Sequence, residues 1–488
     1  MKKVKVFLFN GILLTSVSLL ISTIGVSFNV YITNKIGSQA IGIYQLIMSI
    51  YMFCITVAIS GIGLASTRIV AEEIALSNES GAKKAILKCI LFSAIFGIIS
   101  CVILYLSAPY IVKFWLHDKI STKALYIIAI SLPFLSMSSA LNGYFTALRR
   151  IIKSASAQIL EQFIKIFITL YLLNLLMPPG LENACLALVI GTCISEICSF
   201  SYLFILYNID KKKLSKKSIV NTKYMKKILN ISLPIAFTSY IRAGLSTFKQ
   251  IITPIQLEKS GMNCDVALSN YGMISGMVFP ILLFPSAFIT SFSNLLMPEI
   301  ARFYALNNMN KINNVIISIF KPTLIFSICV IGIFLTFATQ LSVLLYNNLE
   351  IVKYILVLCP LILVMYIDSI VDSILKGINE QVSVMKYNII DLIVSICCIY
   401  FLLPYFGING YIIAIIASEC TNTFLSTLKL LKKTQFKIDY KNWIIKPICC
   451  MILSLNASKL IGLNFENTIF NLIIRIFILS FFIFNILY

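Results

Sequence analysis

Residues 229–255 read LNISLPIAFTSYIRAGLSTFKQIITPI, an apolar run long enough as a helix to cross a bilayer core about 30 Å thick. Inside it Thr238, Arg242, Ser246, Lys249 and Thr253 recur every three or four residues, so at 3.6 residues per turn they share one face. A basic side chain in a membrane helix costs several kcal/mol unless it faces protein or a water-filled cavity. Two on one stripe therefore point to a cavity that receives an anion, with ion pairs to neighbouring helices as the plain structural alternative.

The rest of the composition agrees with a bilayer as solvent. Hydrophobic residues make up 59% of the chain and mean hydropathy is +0.94, well above the roughly 45–50% apolar usage of soluble domains. The net charge of +21 does not mark a nucleic-acid binder, because the basic residues sit in short loops between apolar runs instead of on one folded surface. The 14 cysteines do not read as a disulfide framework: nearly all lie in apolar segments, and Cys397-Cys398 and Cys449-Cys450 are adjacent. They read as small core hydrophobes. With no CxxC pair and one histidine, His117, in an interfacial loop, neither a metal site nor a cofactor is expected.

From the N-terminus, Lys2, Lys3 and Lys5 precede an apolar run over 7–32 that is too long for a signal-peptide core and reads as an uncleaved first helix. Further spans are expected near 41–67, 86–112, 122–147, 155–177, 183–208, 228–255, 270–298, 314–346, 354–375, 384–406, 409–431, 443–463 and 468–487, about fourteen in all. Lys and Arg then concentrate in alternate loops: the N-terminus, Arg68 to Lys88, Arg149 to Lys153, Lys211 to Lys227, Arg302 to Lys321, Lys376 to Lys386, and Lys429 to Lys446. By the positive-inside rule these loops and both termini are cytoplasmic.

The hydrophilic segment 210–227 splits the chain near its middle, and the halves look alike. Leu141-Asn142-Gly143 precedes a span with Glu161, then Gly180, then a span with Ser195-Glu196. Leu375-Lys376-Gly377 precedes a span with Asp391, then Gly407, then a span with Ser418-Glu419. Six spans return the chain to the same side, so the repeats are parallel and a substrate path between them is expected. The expected organisation is an all-α membrane protein with an N-terminal six-helix lobe (1–209), a basic cytoplasmic linker (210–227), a C-terminal six-helix lobe (228–435) and two appended helices (436–488).

Charges within spans are the candidate functional groups. Glu161 and Lys165 lie four apart in the orientation that favours an intrahelical pair and read as structural. Asp368 and Asp372, also four apart, carry like charge on one face and require a partner such as Arg242 or Lys249, a bound cation or a shared proton. Asp391, Glu196 and Glu419 are single acids open to either role. Polar and small-residue stripes on the first span (Thr15, Ser18, Ser22, Gly25, Asn29) and the second (Gln45, Ser49, Thr56, Ser60, Gly63, Thr67) line a cavity or seal close packing. Pro133, Pro234, Pro280, Pro285 and Pro360 permit kinks inside spans.

The segments Gly42-Ile-Tyr-Gln-Leu, Gly61-Ile-Gly through Arg68-Ile-Val-Ala-Glu72, Ser232-Leu-Pro-Ile-Ala, Tyr271-Gly-Met-Ile-Ser-Gly-Met, Phe284-Pro285 and Met297-Pro298-Glu299 resemble the stage V sporulation protein B and polysaccharide-biosynthesis transporter family. That family lies within the multidrug/oligosaccharidyl-lipid/polysaccharide exporter superfamily, and the resemblance covers most of the chain. It implies a V-shaped two-lobe bundle, not an enzyme, that flips undecaprenyl-pyrophosphate-linked saccharides across the bacterial cytoplasmic membrane. Where relatives carry arginine on the first span, this chain has Ser22 and Asn29 on the polar face, so anion binding falls to Arg242, Lys249 and Arg68, with Ser246 and Thr238 beside them. Asp368, Asp372, Asp391, Glu419 and Glu196 are the candidates for coupling to a proton or sodium ion. The expected partners are a lipid-linked oligosaccharide and membrane lipids, with the chain a monomer. The alternative is an ion-coupled multidrug exporter, in which the acids bind a cationic drug. An ATPase is not expected, since no GxxxxGK[ST] loop occurs.

Overall fold

The computed structural model describes residues 2–76, 78–115, 122–175, 180–213, 224–434, 436, 439, 441–449 and 451–452. The expected fourteenth span, the thirteenth beyond residue 452, linker residues 214–223 and His117 lie outside the described residues. The elements in order are α1 (Lys2–Ile59), α2 (Ile62–Ala75), α3 (Glu79–Trp115), α4 (Thr122–Ala147), α5 (Ile151–Leu175), α6 (Leu181–Lys213), α7 (Tyr224–Lys259) and α8 (Cys264–Gly272). A π-helical segment, Met273–Val278, leads to α9 (Phe279–Leu283), α10 (Ser286–Ala305), α11 (Met309–Tyr346), α12 (Glu350–Leu358), α13 (Leu361–Gly377) and α14 (Gln381–Thr434). A second π segment, Lys441–Ile445, follows.

Among the described residues nine stretches are long and apolar enough to cross a bilayer, and α12 with α13, bent by 50° at their break, make a tenth. Two of the nine each hold two expected spans. α1 changes direction at Gly37 (φ 84°) and α14 at Gly407 (φ 54°), left-handed backbone that a residue without a Cβ adopts at no steric cost. The first twelve expected spans are thus all present. The break between α12 and α13 falls at Cys359–Pro360, where proline supplies no backbone N–H to continue the ladder. Pro133, by contrast, lies within an uninterrupted α4.

By Cα packing the chain divides into two compact units, one of Met1–Val17, Ile36–Ile255 and Asn263–Gly272, the other of Ser18–Lys35, Gln256–Met262 and Met273–Tyr488. The repeats at 1–209 and 228–435 mark sequence likeness. The packing units differ, with residues 18–35 in the second unit and most of α7 in the first.

In the first unit α2, α3, α4 and α6 bury a core that includes Ile62, Ile69, Leu141, Tyr144 and Tyr207. α2 and α4 approach closely. A Cβ on Gly143 would stand 2.5 Å from the Gly63 carbonyl oxygen, and Ser66 donates to the Ala140 carbonyl at 2.8 Å. This is small-residue packing, which replaces the hydrophobic drive that lipid removes. In the second unit the stacked rings of Phe326 and Tyr366 lie 6.1 Å apart, and the Tyr366 hydroxyl donates to the Leu282 carbonyl at 3.3 Å. There the π segment leaves the Gly276 carbonyl accessible, and Asn29 Nδ2 donates to it at 3.0 Å. The described cysteines are free thiols.

Candidate functional site

α7 carries the cationic stripe on one side and packs with the other. Thr247 Oγ1 donates to the Ser49 carbonyl of α1 at 2.9 Å, and Ser60 and Tyr240 share a hydroxyl hydrogen bond. These contacts hold the packed side against α1 and leave the stripe on the other. On the stripe Thr238 and Thr253 turn their hydroxyls to their own helix, bonding the Ile235 and Lys249 carbonyls at 3.0 and 2.7 Å. Ser246 and Lys249 are half-buried. Arg242 is exposed, and its guanidinium has no hydrogen-bond or ion-pair partner among the described residues.

Arg68 is placed elsewhere. Its Nε donates to Glu72 Oε1 at 3.1 Å, and Glu72 also pairs with Lys227 in the first turn of α7. Lys227 precedes Arg242 by about 22 Å of helix axis, so Arg68 sits at the start of α7, paired with an acid, and does not join Arg242 and Lys249.

The acids fall into two groups, one in each unit. In the second unit α13 and α14 bring Asp368, Asp372, Asp391 and Glu419 together. The last three all act electrostatically on Asp368. Asn422 Nδ2 donates to Asp368 Oδ2 at 3.0 Å, Lys376 stands 3.6 Å from Asp372, and the Ser418 hydroxyl donates to Asp391. Asp368 Oδ1 is buried with no hydrogen-bond partner among the described residues. Asn422 thus bonds Asp368 and Lys376 pairs with Asp372, two contacts that the sequence reading did not name. A signal for Asn422 existed, since it lies three residues after Glu419 on the same helix face.

In the first unit Glu161 accepts a hydrogen bond from Ser199 and feels Lys165, while Glu196 feels both Glu161 and Lys165. Lys165 thus acts electrostatically on both acids. In each group an acid on the earlier span, Glu161 or Asp391, is held by a serine of the next, but not the equivalent one: Ser199 lies three residues after Glu196, whereas Ser418 directly precedes Glu419. At the position equivalent to Lys165, four residues past Asp391, the second unit has Ser395, whose buried hydroxyl has no hydrogen-bond partner among the described residues. The second unit keeps the acids without that lysine. Among the described residues no three His, Cys, Asp or Glu side chains converge as a metal site.

Comparison with known proteins places the fold. The solved structures it matches include an inward-facing multidrug resistance MATE family transporter of the MOP superfamily. That match has a TM-score of 0.68 at 12% identity and covers 86% of this chain and 98% of that one. A second is a MOP superfamily transporter from Pyrococcus furiosus, described as having a binding pocket of reverse polarity that suggests a different function. It has a TM-score of 0.60 at 13% identity over 87% and 95%. Among curated relatives, Stage V sporulation protein B of Bacillus subtilis (strain 168) is 23% identical over 461 residues, 93% of this chain and 89% of the relative. Sporulation protein YkvU of the same organism is 22% identical over 377 residues, 77% of this chain and 83% of the relative. The fold is that of the MOP superfamily transporters. A family model, described as polysaccharide biosynthesis protein, matches residues 7–303, more than half of the chain, and the protein belongs to that family.

Proposed function

We propose that the protein is a flippase that moves an undecaprenyl-pyrophosphate-linked saccharide, a peptidoglycan precursor or another envelope or spore-cortex unit, across the bacterial cytoplasmic membrane by alternating access. The observation that carries this reading is Arg242, an exposed guanidinium on a membrane-length helix with no acid partner among the described residues. A cation so placed has a use when an anion arrives. Arginine holds phosphate oxygens bidentately and Lys249, two turns on, acts as a point charge, so a pyrophosphate can pass between the two. Arg68, already paired with Glu72, attracts the anion at the entrance. An inside-negative potential favours outward movement of a negative headgroup without an ATPase. Both termini face the cytoplasm and the chain acts as a monomer.

Asp368, Asp372, Asp391 and Glu419 bind a proton or sodium ion in this scheme, and the buried spare oxygen of Asp368 supports that role. The same four acids favour one rival reading, an ion-coupled exporter of cationic drugs. Reconstitution into vesicles with fluorescent lipid-linked saccharides, read by accessibility to a membrane-impermeant quencher, separates the two. Translocation of the lipid-linked saccharide that Arg242→Ala abolishes supports the flippase, and cation efflux without it supports the exporter.

A further inference from the structure

A cavity of about 500 Å³ lies in the first unit between α1, α3 and α7. Its floor includes buried Ile50 and Leu104, and its rim includes the exposed side chains of Tyr110 and Phe248. The Ser107 and Thr247 hydroxyls of its lining are already bonded to backbone carbonyls, to Leu104 at 3.3 Å and to Ser49 at 2.9 Å, and the third hydroxyl, of Tyr110, belongs to the exposed rim. The walls therefore suit hydrocarbon. Gly244 makes the space: a Cβ there would meet Phe53 at 3.6 Å, ordinary contact, and anything longer would enter the cavity. An empty apolar space of this size, open at its rim within a membrane-length bundle, is filled by what surrounds it.

Two further observations identify the occupant. Gly244 stands half a turn round α7 from both Arg242 and Ser246, so a chain seated here is not that of a carrier whose phosphates rest on the cationic stripe. The lining of α3 also includes Tyr110 at the rim, and Lys113, about one turn beyond Tyr110 and 60° round the helix from it, is exposed. A cation at the end of an apolar slot matches an anionic headgroup above a buried chain. We propose that this cavity binds one acyl chain of an anionic bilayer phospholipid, with its headgroup set toward Lys113. The lipid is a resident component packed against α7, distinct from the transported molecule.

The test uses the full chain in detergent, with thermal unfolding followed on adding phosphatidylglycerol or phosphatidylcholine, and with a phosphatidylglycerol carrying a photoreactive acyl chain. Wild type should gain several degrees from phosphatidylglycerol and crosslink at residues 103–111 and 244–248. Gly244→Leu, which fills the space, should unfold at a higher temperature in detergent alone, lose at least half of the lipid increment and lose the crosslinks. Lys113→Ala should keep the increment from phosphatidylcholine and lose the preference for phosphatidylglycerol. If Gly244→Leu does not fold, Phe53→Trp narrows the cavity from the opposite wall and carries the same expectations. Equal lipid increments and labelling in wild type and the filled variants would overturn the proposal. Labelling of these residues by photoreactive undecaprenyl phosphate that phosphatidylglycerol does not compete away would also overturn it, by making the occupant the carrier and leaving the flippase reading intact.

Discussion

Asp210 and Lys433 stand at the same point of the two repeats, fourteen residues beyond Glu196 and Glu419, and carry opposite charges. Each clamps the end of its unit's last repeat helix to an earlier turn. Asp210 pairs with Arg150 and Lys153, both at 2.5 Å, and Lys433 pairs with Glu380 at 2.8 Å, reinforced by Lys429 at 3.2 Å. The repeat retains the clamp and reverses its polarity.

Burial makes the two clamps unequal. The Asp210 side chain is 1% exposed and that of Glu380 18%. Asp210→Asn should therefore cost about 2 kcal/mol and lower the unfolding midpoint in detergent clearly, and Glu380→Gln less than about 1 kcal/mol. Differential scanning fluorimetry of the two variants showing the opposite order would refute this ranking.

The Glu380 clamp also has a pH signature. Its hydrogen bond from Lys433, then that from Ser383, holds the carboxyl down at about 2, against an ordinary value near 4.3. A depressed acid contributes stability that is fully present above the unfolded value and is lost as pH falls through the folded one. The difference in midpoint between wild type and Glu380→Gln should hold steady from neutral pH to about pH 5, narrow below about 4.3 and vanish near pH 2. A difference that grows on acidification contradicts the assignment.

For the cationic stripe, Arg242→Ala should abolish flipping in vesicles with the protein still inserted, while Arg242→Lys restores part, because the fork geometry is lost and the charge kept. Lys249→Ala should weaken transport less than Arg242→Ala, and Lys249→Arg should be tolerated. Undiminished flipping and undiminished crosslinking to lipid-linked substrate in Arg242→Ala would make the stripe structural and favour the exporter.

Asp368→Asn and Asp372→Asn should each impair transport, with the double variant losing less than the sum of the two, as expected for groups that share one site. Additive losses, or full activity in both single variants, would return the pair to a structural role.

The topology is open to a direct check at the two ends of α11, where Leu306 and Leu349 are exposed. In a background without reactive native cysteines, Leu306→Cys should label from the cytoplasmic side and Leu349→Cys from outside. Reversed labelling would reject the orientation drawn from the basic loops.

Span positions were legible because apolar length and charged loops are local properties of the chain. The partners were not legible. Periodicity puts Asp368 and Asp372 on one face but says nothing of what faces them, so the Asn422 contact was missed. Arg68 was grouped with Arg242 through the family resemblance, and the Glu72 contact that draws it to the start of α7 spans 155 residues at its Lys227 end. The cavity beside Gly244 was invisible for a related reason: a missing side chain leaves no mark in a hydropathy pattern.

The π segment at Met273–Val278 contains one residue more than an α-helix needs over the same rise. Deleting a single residue there would restore α geometry and rotate everything that follows on that span by about 100°, turning the faces of α9 and α10 away from their present neighbours. The chain thus carries a phase correction, and lineages that lack the surplus residue should show a compensating shift in the apolar register between Phe279 and Ala305.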